Sequence, residues 1–347
     1  MPERESTRFW VGASTQGALG SAATGIRRLD IDADGGWTLG DPVDVGPNPM
    51  YLAIAAASGL LGIANELHEG LVSTWTLEGD GLRPFGPSTP TGSGDPCHVA
   101  FDEAGRWLFA ANYSGGDLTA HPAVPDAEAS DAPLSVAFSG TGPNAERQQS
   151  SHPHQVVVDH ARNRVLVPDL GSDRIRVAGI AELPDRLGHS DEDDIAVHPG
   201  AGPRHLVIAG DLAVVANELD RTASVIDLVV GDEVAVFPVD ERVPPRALGV
   251  SAIRLTRAGT VLIGDRDADA LVALRLDADR RTLEHAASVV TGGRHPRDLH
   301  VTHDERFALV ADQASDSIAI IALDGGVPTH VVDTITTPAP SCLARVP

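Results

Sequence analysis

Lysine is missing from this sequence. All 26 basic residues are arginine, set against 49 Asp and Glu, which leaves a formal charge of −23. Nucleic acids and anionic membrane surfaces need a basic footprint, so neither is expected as a partner. Cysteine is scarce: Cys97 and Cys342 are too few for a disulfide framework, and a chain of 347 residues can bury a core without one. Both read as small reduced fillers. No stretch approaches the ~18 apolar residues of a membrane span, and the N-terminal M-P-E-R-E-S-T-R-F-W lacks the apolar core of a signal peptide. A cytoplasmic protein is the expectation. The G-x-S-x-G turn of serine hydrolases is missing, as are the Cys/His spacings of a zinc site. WD-repeat and kelch signatures are missing too.

What is present is a repeat. Apolar segments end at L-L-G-I-A-N-E, W-L-F-A-A-N-Y, R-V-L-V-P-D-L, L-A-V-V-A-N-E, V-L-I-G-D-R and F-A-L-V-A-D-Q. Their Asn/Asp residues, Asn65, Asn112, Asp169, Asn217, Asp265 and Asp312, are spaced 47, 57, 48, 48 and 47 apart. A polar turn and an alternating strand follow each one. A shorter strand precedes each one, introduced by Pro49, Pro96, Pro153, Pro203 and Pro296, with Val250 standing where one Pro is lost. A seventh copy is split: S-C-L-A-R-V follows Pro340 at the C-terminus, and R-F-W-V-G-A-S stands at the N-terminus. A circular array of sheets joins its ends in this way. The reading is an all-β, seven-bladed propeller, a single domain over residues 1–347, closed by pairing of the terminal strands. The long interval places an insertion at about residues 121–151, either a surface loop or a loop over the channel mouth. A closed ring has few free edges, so a monomer or weak oligomer is expected.

In a propeller the start of the first strand and the end of the second lie on one face. Reading the residue after each Pro gives Met50, Cys97, His154, Arg204, Ser251, Arg297 and Ser341. Reading the residue that ends each second strand gives Glu66, Tyr113, Leu170, Glu218, Arg266 and Gln313. One mouth thus collects His154, Arg204, Arg266, Arg297, Glu66 and Glu218. The recurring Asn/Asp reads as a turn cap. Arg204 and Glu218 depart from the repeat and are the best candidates for chemistry, the alternative being a purely structural ion pair. His154 could be an ordinary buried imidazole, and Arg297, beside Asp298, reads as structural. His152 and His154 could be metal ligands, but the Cys/His spacings of a zinc site are missing, and no metal or cofactor is expected.

The motifs N-P-M-Y-L, D-P-C-H-V, G-P-N-A-E-R-Q before H-P-H-Q, V-P-D-L-G-S-D-R, G-A-G-P-R-H-L with A-N-E-L-D, and H-P-R-D-L resemble the seven-bladed propeller lactonases. That family includes the propeller type of 6-phosphogluconolactonase and the carboxymuconate-cyclising enzyme. The resemblance runs over essentially the whole chain. It implies a His, two Arg and a Glu at the channel mouth, which by motif are His154, Arg204, Arg266 and Glu218. Arg147 and Gln148 of the G-P-N-A-E-R-Q motif, with Arg297, Glu66 and Tyr113 of the mouth, are the candidate substrate contacts. The implied activity is metal-independent hydrolysis of a small sugar-acid lactone such as 6-phosphogluconolactone. Glu218 or His154 would be the general base, and the arginines would stabilise the oxyanion. Two other readings stay open: a muconate-type cycloisomerase, and a non-catalytic binding propeller.

Overall fold

A computed structural model describes residues 6–17, 22–123, 133–243 and 248–347. Each copy of the repeat forms an antiparallel sheet of at least four strands, and seven such sheets make the ring. Second strands such as Leu212–Asn217 and Phe307–Asp312 are buried along their whole length. They lie in mid-sheet with a neighbouring blade on each face, which is why they read as continuous apolar runs.

Blade 1 joins the two ends of the chain. Its inner strand is Pro340–Arg345, followed outward by Thr7–Ala13, Arg27–Ile31 and Trp37–Leu39. The register Trp10↔Ala344 and Gly12↔Cys342 zips the termini together. The inner and second strands of the other blades follow in chain order. They are Pro49–Ala55 and Leu60–Asn65 (blade 2), Pro96–Phe101 and Trp107–Asn112 (blade 3), and Val157–Asp159 and Arg164–Asp169 (blade 4). Next come Pro203–Ala209 and Leu212–Asn217 (blade 5), Val250–Leu255 and Thr260–Asp265 (blade 6), and Pro296–Val301 and Phe307–Asp312 (blade 7). Among the described residues no helix is long and apolar enough to cross a membrane.

The core is divided among the clefts between blades. One apolar cluster joins blades 5 and 6 through Val214, Val225, Ile263 and Val272. Another joins blades 7 and 1 through Phe9, Leu29, Leu309 and Ile320. Similar clusters fill the remaining clefts around the ring. Burial of these side chains from water, at about 25 cal/mol per Å² of apolar surface, is what holds neighbouring blades together.

The inner strands leave edge N–H groups facing the channel, and a buried unpaired N–H is costly. Four are finished by a side chain from the preceding blade. Leu52 N–H donates to Cys342 Sγ (3.4 Å), Val156 to His98 Nδ1 (3.3 Å), Leu206 to Gln155 Oε1 (2.6 Å) and Leu343 to Asp298 Oδ2 (2.8 Å). Cys342 is therefore an edge cap and not only a filler. Asp298 also takes Arg254 (3.1 Å), so it is not the partner of Arg297.

Two boundaries differ from the sequence reading. The inner strand of blade 4 is short, because Pro153 makes only an isolated bridge to Asp169 and the ladder resumes at Val157. Side chains replace it there: Asp169 accepts Ser151 Oγ–H and His152 N–H, both at 2.7 Å. The expected insertion is also smaller. Asp117–Pro122 and Leu134–Ala137 are the outer strands of blade 3, and residues 124–132 of the expected loop lie outside the described residues.

Candidate active site

The mouth is built by a backbone device repeated around the ring. Before six of the seven inner strands, all but that of blade 4, stands a residue with a positive φ: Asn48, Asp95, Gly202, Gly249, His295 and Ala339. Its carbonyl accepts the N–H of the residue just after the end of a second strand, at 2.8–3.1 Å: Glu66 to Asn48, Tyr113 to Asp95, Glu218 to Gly202, Arg266 to Gly249 and Gln313 to His295. Pro then starts the strand, and the residue after it drops out of the ladder as a β-bulge. Met50, Cys97, Arg204, Arg297 and Ser341 are the bulged residues, with Ser251 and Ala252 in blade 6. A bulge frees one side chain from the pleat and re-aims it. The clamp and the bulge together set Arg204 beside Glu218.

Glu218 is buried and lies among three guanidinium groups. Oε2 accepts from Arg204 Nη1 and lies 3.0 Å from Arg266 Nη2, and Oε1 accepts from Arg147 Nη2 at 2.8 Å. Burial opposes ionisation of Glu218, but Arg266 and Arg204, helped by Arg147, hold its carboxyl well below the usual range. Burial also lowers the Arg266 guanidinium to about 10, against the pull of Glu218, so it stays charged at neutral pH. Both oxygens of Glu218 are thus committed, and the residue serves better as an anchor for the cations than as a free proton acceptor. The Nε–H groups of Arg204 and Arg266 are buried and have no acceptor among the described residues.

Arg147 arrives from a loop knitted by its own side chains. Asn144 Oδ1 accepts the N–H of Glu146 and of Arg147, both at 3.1 Å. Gln148 is buried and its amide is used inside the loop, donating to Leu170 O (2.9 Å) and Asp173 Oδ1 (2.7 Å) and accepting Asn144 N–H (3.0 Å). Gln148 therefore fixes the loop and has no amide atom left for a substrate, unlike its neighbour Arg147. Arg147 also reaches the Tyr113 hydroxyl at 3.3 Å, and Tyr113 stacks on His152 at 4.5 Å.

His154 Nδ1 lies 3.8 Å from Cys97 Sγ. Burial, with Arg204 and Arg297 nearby, pushes the imidazole well below 6.5, so it is neutral at physiological pH. Burial pushes the Cys97 thiol up, which excludes a standing thiolate nucleophile there. On the other wall Glu66 faces Arg297 at 3.4 Å, with side chains 27% and 20% exposed. His295, which the sequence reading did not single out, joins the mouth because its left-handed backbone places it in the clamp. Burial and Arg266, Arg297 and Arg204 lower its imidazole to about 4. Its signal was the dipeptide His-Pro, at the place taken by Asn-Pro and Asp-Pro in other copies.

Among the described residues, His189, Asp191 and Asp194 form a group with metal-ligand spacing. It lies at the outer side of blade 4 and is already occupied by a cation, since Arg176 Nη1 donates to Asp194 Oδ2 at 2.8 Å.

The mouth groups Arg147, Arg204, Arg266 and Arg297 with Glu66 and Glu218. Four fixed cations against two carboxylates are arranged to bind an anion and to stabilise negative charge developing on a carbonyl oxygen. A family model described as "Lactonase, 7-bladed beta-propeller" matches residues 8–345. A 6-phosphogluconolactonase of Yersinia pestis (strain Pestoides F) is 26% identical over 306 residues, covering 86% of this chain and 87% of that one. A solved structure from Bacteroides fragilis NCTC 9343 has a TM-score of 0.88 at 26% identity, covering 100% of this chain and 99% of that one. The periplasmic gluconolactonase of Pseudomonas aeruginosa shares the fold at 24% identity, with a TM-score of 0.87 and 99% coverage of each chain. The chain belongs to the seven-bladed β-propeller lactonase family.

Proposed function

We propose that this protein hydrolyses a sugar-acid lactone that carries an anionic group, of the 6-phosphogluconolactone type, without a metal. The observation that carries this reading is the excess of guanidinium over carboxylate at the mouth, including two buried Nε–H groups with no acceptor. In a chain of charge −23, four arginines in one recess are a departure that an anionic substrate explains. The relatives named 6-phosphogluconolactonase support the same substrate class.

Arg204 and Arg266 would take the lactone carbonyl oxygen, whose charge grows as water adds. Arg147, partly exposed at the rim, would hold the substrate's phosphate or carboxylate. Glu218 keeps the three guanidinium groups in place and lowers the cost of gathering them. Lactone opening is an ester hydrolysis with a modest barrier, so an activated water and oriented cations are sufficient equipment.

The test is hydrolysis of a panel of phosphorylated and plain sugar lactones, each measured against its spontaneous rate. Acceleration of the phosphorylated members well above the plain ones is the expected result. Turnover of a muconate and of no lactone would move the assignment to the cycloisomerase reading. Binding of sugar-acid anions without turnover would make the propeller a binding module.

A further inference from the structure

We propose that Glu66 is the general base of this reaction, activating the attacking water from the wall of the mouth opposite Glu218. The inference rests on the lactonase reading and assigns the one role that reading leaves unfilled.

The two carboxylates have different company. Glu218 is saturated by Arg204, Arg266 and Arg147, and a proton could be added only by displacing a guanidinium. Among the described residues the Glu66 side chain has one long contact, 3.4 Å to Arg297, and it remains partly open to solvent. It stands where the clamp of blade 2 delivers it, its N–H bonded to Asn48 O at 2.9 Å, so its backbone is held in the same way as that of Glu218. Its side chain is 27% exposed, so water reaches the carboxylate directly, whereas Glu218 is 3% exposed. The charged groups that act on Glu66 are Arg297, Arg204 and Asp95. Burial dominates, Asp95 adds to it, and together they outweigh the two arginines and hold the Glu66 carboxyl above the usual range. A general base is more effective as its affinity for the proton rises toward the working pH. His154, neutral but displaced far downward, is the poorer acceptor.

The step balances without a co-reactant. The water oxygen bonds to the lactone carbonyl carbon as Glu66 takes one water proton. The carbonyl π pair moves to oxygen, beside Arg204 and Arg266. Collapse breaks the ring C–O bond, and the departing ring oxygen takes the proton back from Glu66. The product is the open hydroxy acid, which releases its carboxyl proton to solvent.

The experiment compares wild type, Glu66→Gln, Glu66→Asp and Glu218→Gln on the best lactone of the panel, with kcat and KM measured across pH. Wild-type kcat is expected to fall as pH drops through one ionisation above the ordinary Glu value. Glu66→Gln is expected to lose about 10²–10⁴-fold in kcat with KM within a few-fold, and to lose that acidic limb. Glu66→Asp should recover part of the rate and keep the limb. Thermal melting controls for folding, and little change is expected because Glu66 has only one ion partner. Glu66→Gln with kcat within threefold of wild type, or with the limb intact, overturns the assignment. A wild-type protein that accelerates no lactone overturns the underlying reading, a result distinct from the first.

Discussion

A single buried carboxylate with three cationic partners should show its importance in stability as well as in rate. Glu218→Gln removes the charge that Arg204 and Arg266 share. Breaking a buried pair from one side costs about 3 kcal/mol, because the remaining charges are left uncompensated. The expected outcome is a lower urea midpoint together with loss of most lactonase activity, and an unchanged midpoint would refute the anchoring role. Asp312 gives a residue-scale prediction of opposite sign. It is buried, its Oδ2 has no partner among the described residues, and burial, only partly offset by the Thr291 hydrogen bond and reinforced by Asp269, raises its carboxyl to about 7. A folded value above the unfolded one, near 3.9, means that this group favours folding below pH ~4 and that the benefit is lost as pH rises through about 7. The corresponding residues of blades 2, 3 and 5 are Asn65, Asn112 and Asn217. Asp312→Asn should therefore stabilise the protein at pH 8 by on the order of 2 kcal/mol and by much less at pH 4, as read from urea unfolding at the two values.

The residues of the mouth were legible because the repeat supplied a background to depart from. Arg204 and Glu218 stand out against most other copies, matched only by Arg297 and Glu66, without any knowledge of contacts. How the charges divide was not legible. That Arg147 completes the shell of Glu218, while Glu66 keeps one distant partner, depends on distances across the ring between residues 71 and 231 positions apart. No local pattern reports such distances.

At the scale of the strand, the repeated clamp and bulge are what place the site. Gly249 tests this directly. It has φ +68°, and a Cβ there would come within 1.8 Å of the Glu218 carbonyl oxygen. Gly210, in the hairpin of the neighbouring blade, has a similar φ of +65° but open space around it. Left-handed strain alone costs about 1 kcal/mol in either position. Gly210→Ala should cost that much and leave kcat/KM unchanged, whereas Gly249→Ala should cost more and reduce activity at least tenfold. Equal effects on activity would mean that the Glu218 backbone is not held through this contact. The second strands were readable almost to the residue, since apolar runs ending in Asn or Asp coincide with strand ends at Asn65, Asn112, Asp169, Asn217, Asp265 and Asp312. The inner strand of blade 4 was not. Asp169 draws Ser151 and His152 into side-chain hydrogen bonds that compete with the ladder, and such competition leaves no trace in hydrophobic periodicity.

At the scale of the whole molecule, the acidic surface and the cationic mouth act over different distances. The net charge of −23 repels an anion at long range, and the arginines attract it close in. The screening length falls from about 30 Å at 0.01 M salt to about 8 Å at 0.15 M. Added salt therefore screens the distant repulsion before it weakens the partly buried arginines. For a phosphorylated lactone, kcat/KM is expected to rise by about two- to threefold over that range, and for an uncharged lactone to stay flat. A fall for the charged substrate would show that the mouth field already dominates at long range. Ring closure belongs to this scale too. The split copy was visible in the sequence because the two termini each carry half of one unit, and they meet in the register Trp10↔Ala344.

A residue outside the ladder is released from strand propensity and pairing register alike. The positions following the clamp hold a thioether, a thiol, two guanidinium groups and two hydroxyls, at Met50, Cys97, Arg204, Arg297, Ser251 and Ser341, on sheets of one design. The ring thus works as a set of interchangeable seats around a common opening. Met50, Cys97, Ser251 and Ser341 are the seats without charge, and a new substrate preference could be installed there without refolding the scaffold that carries it.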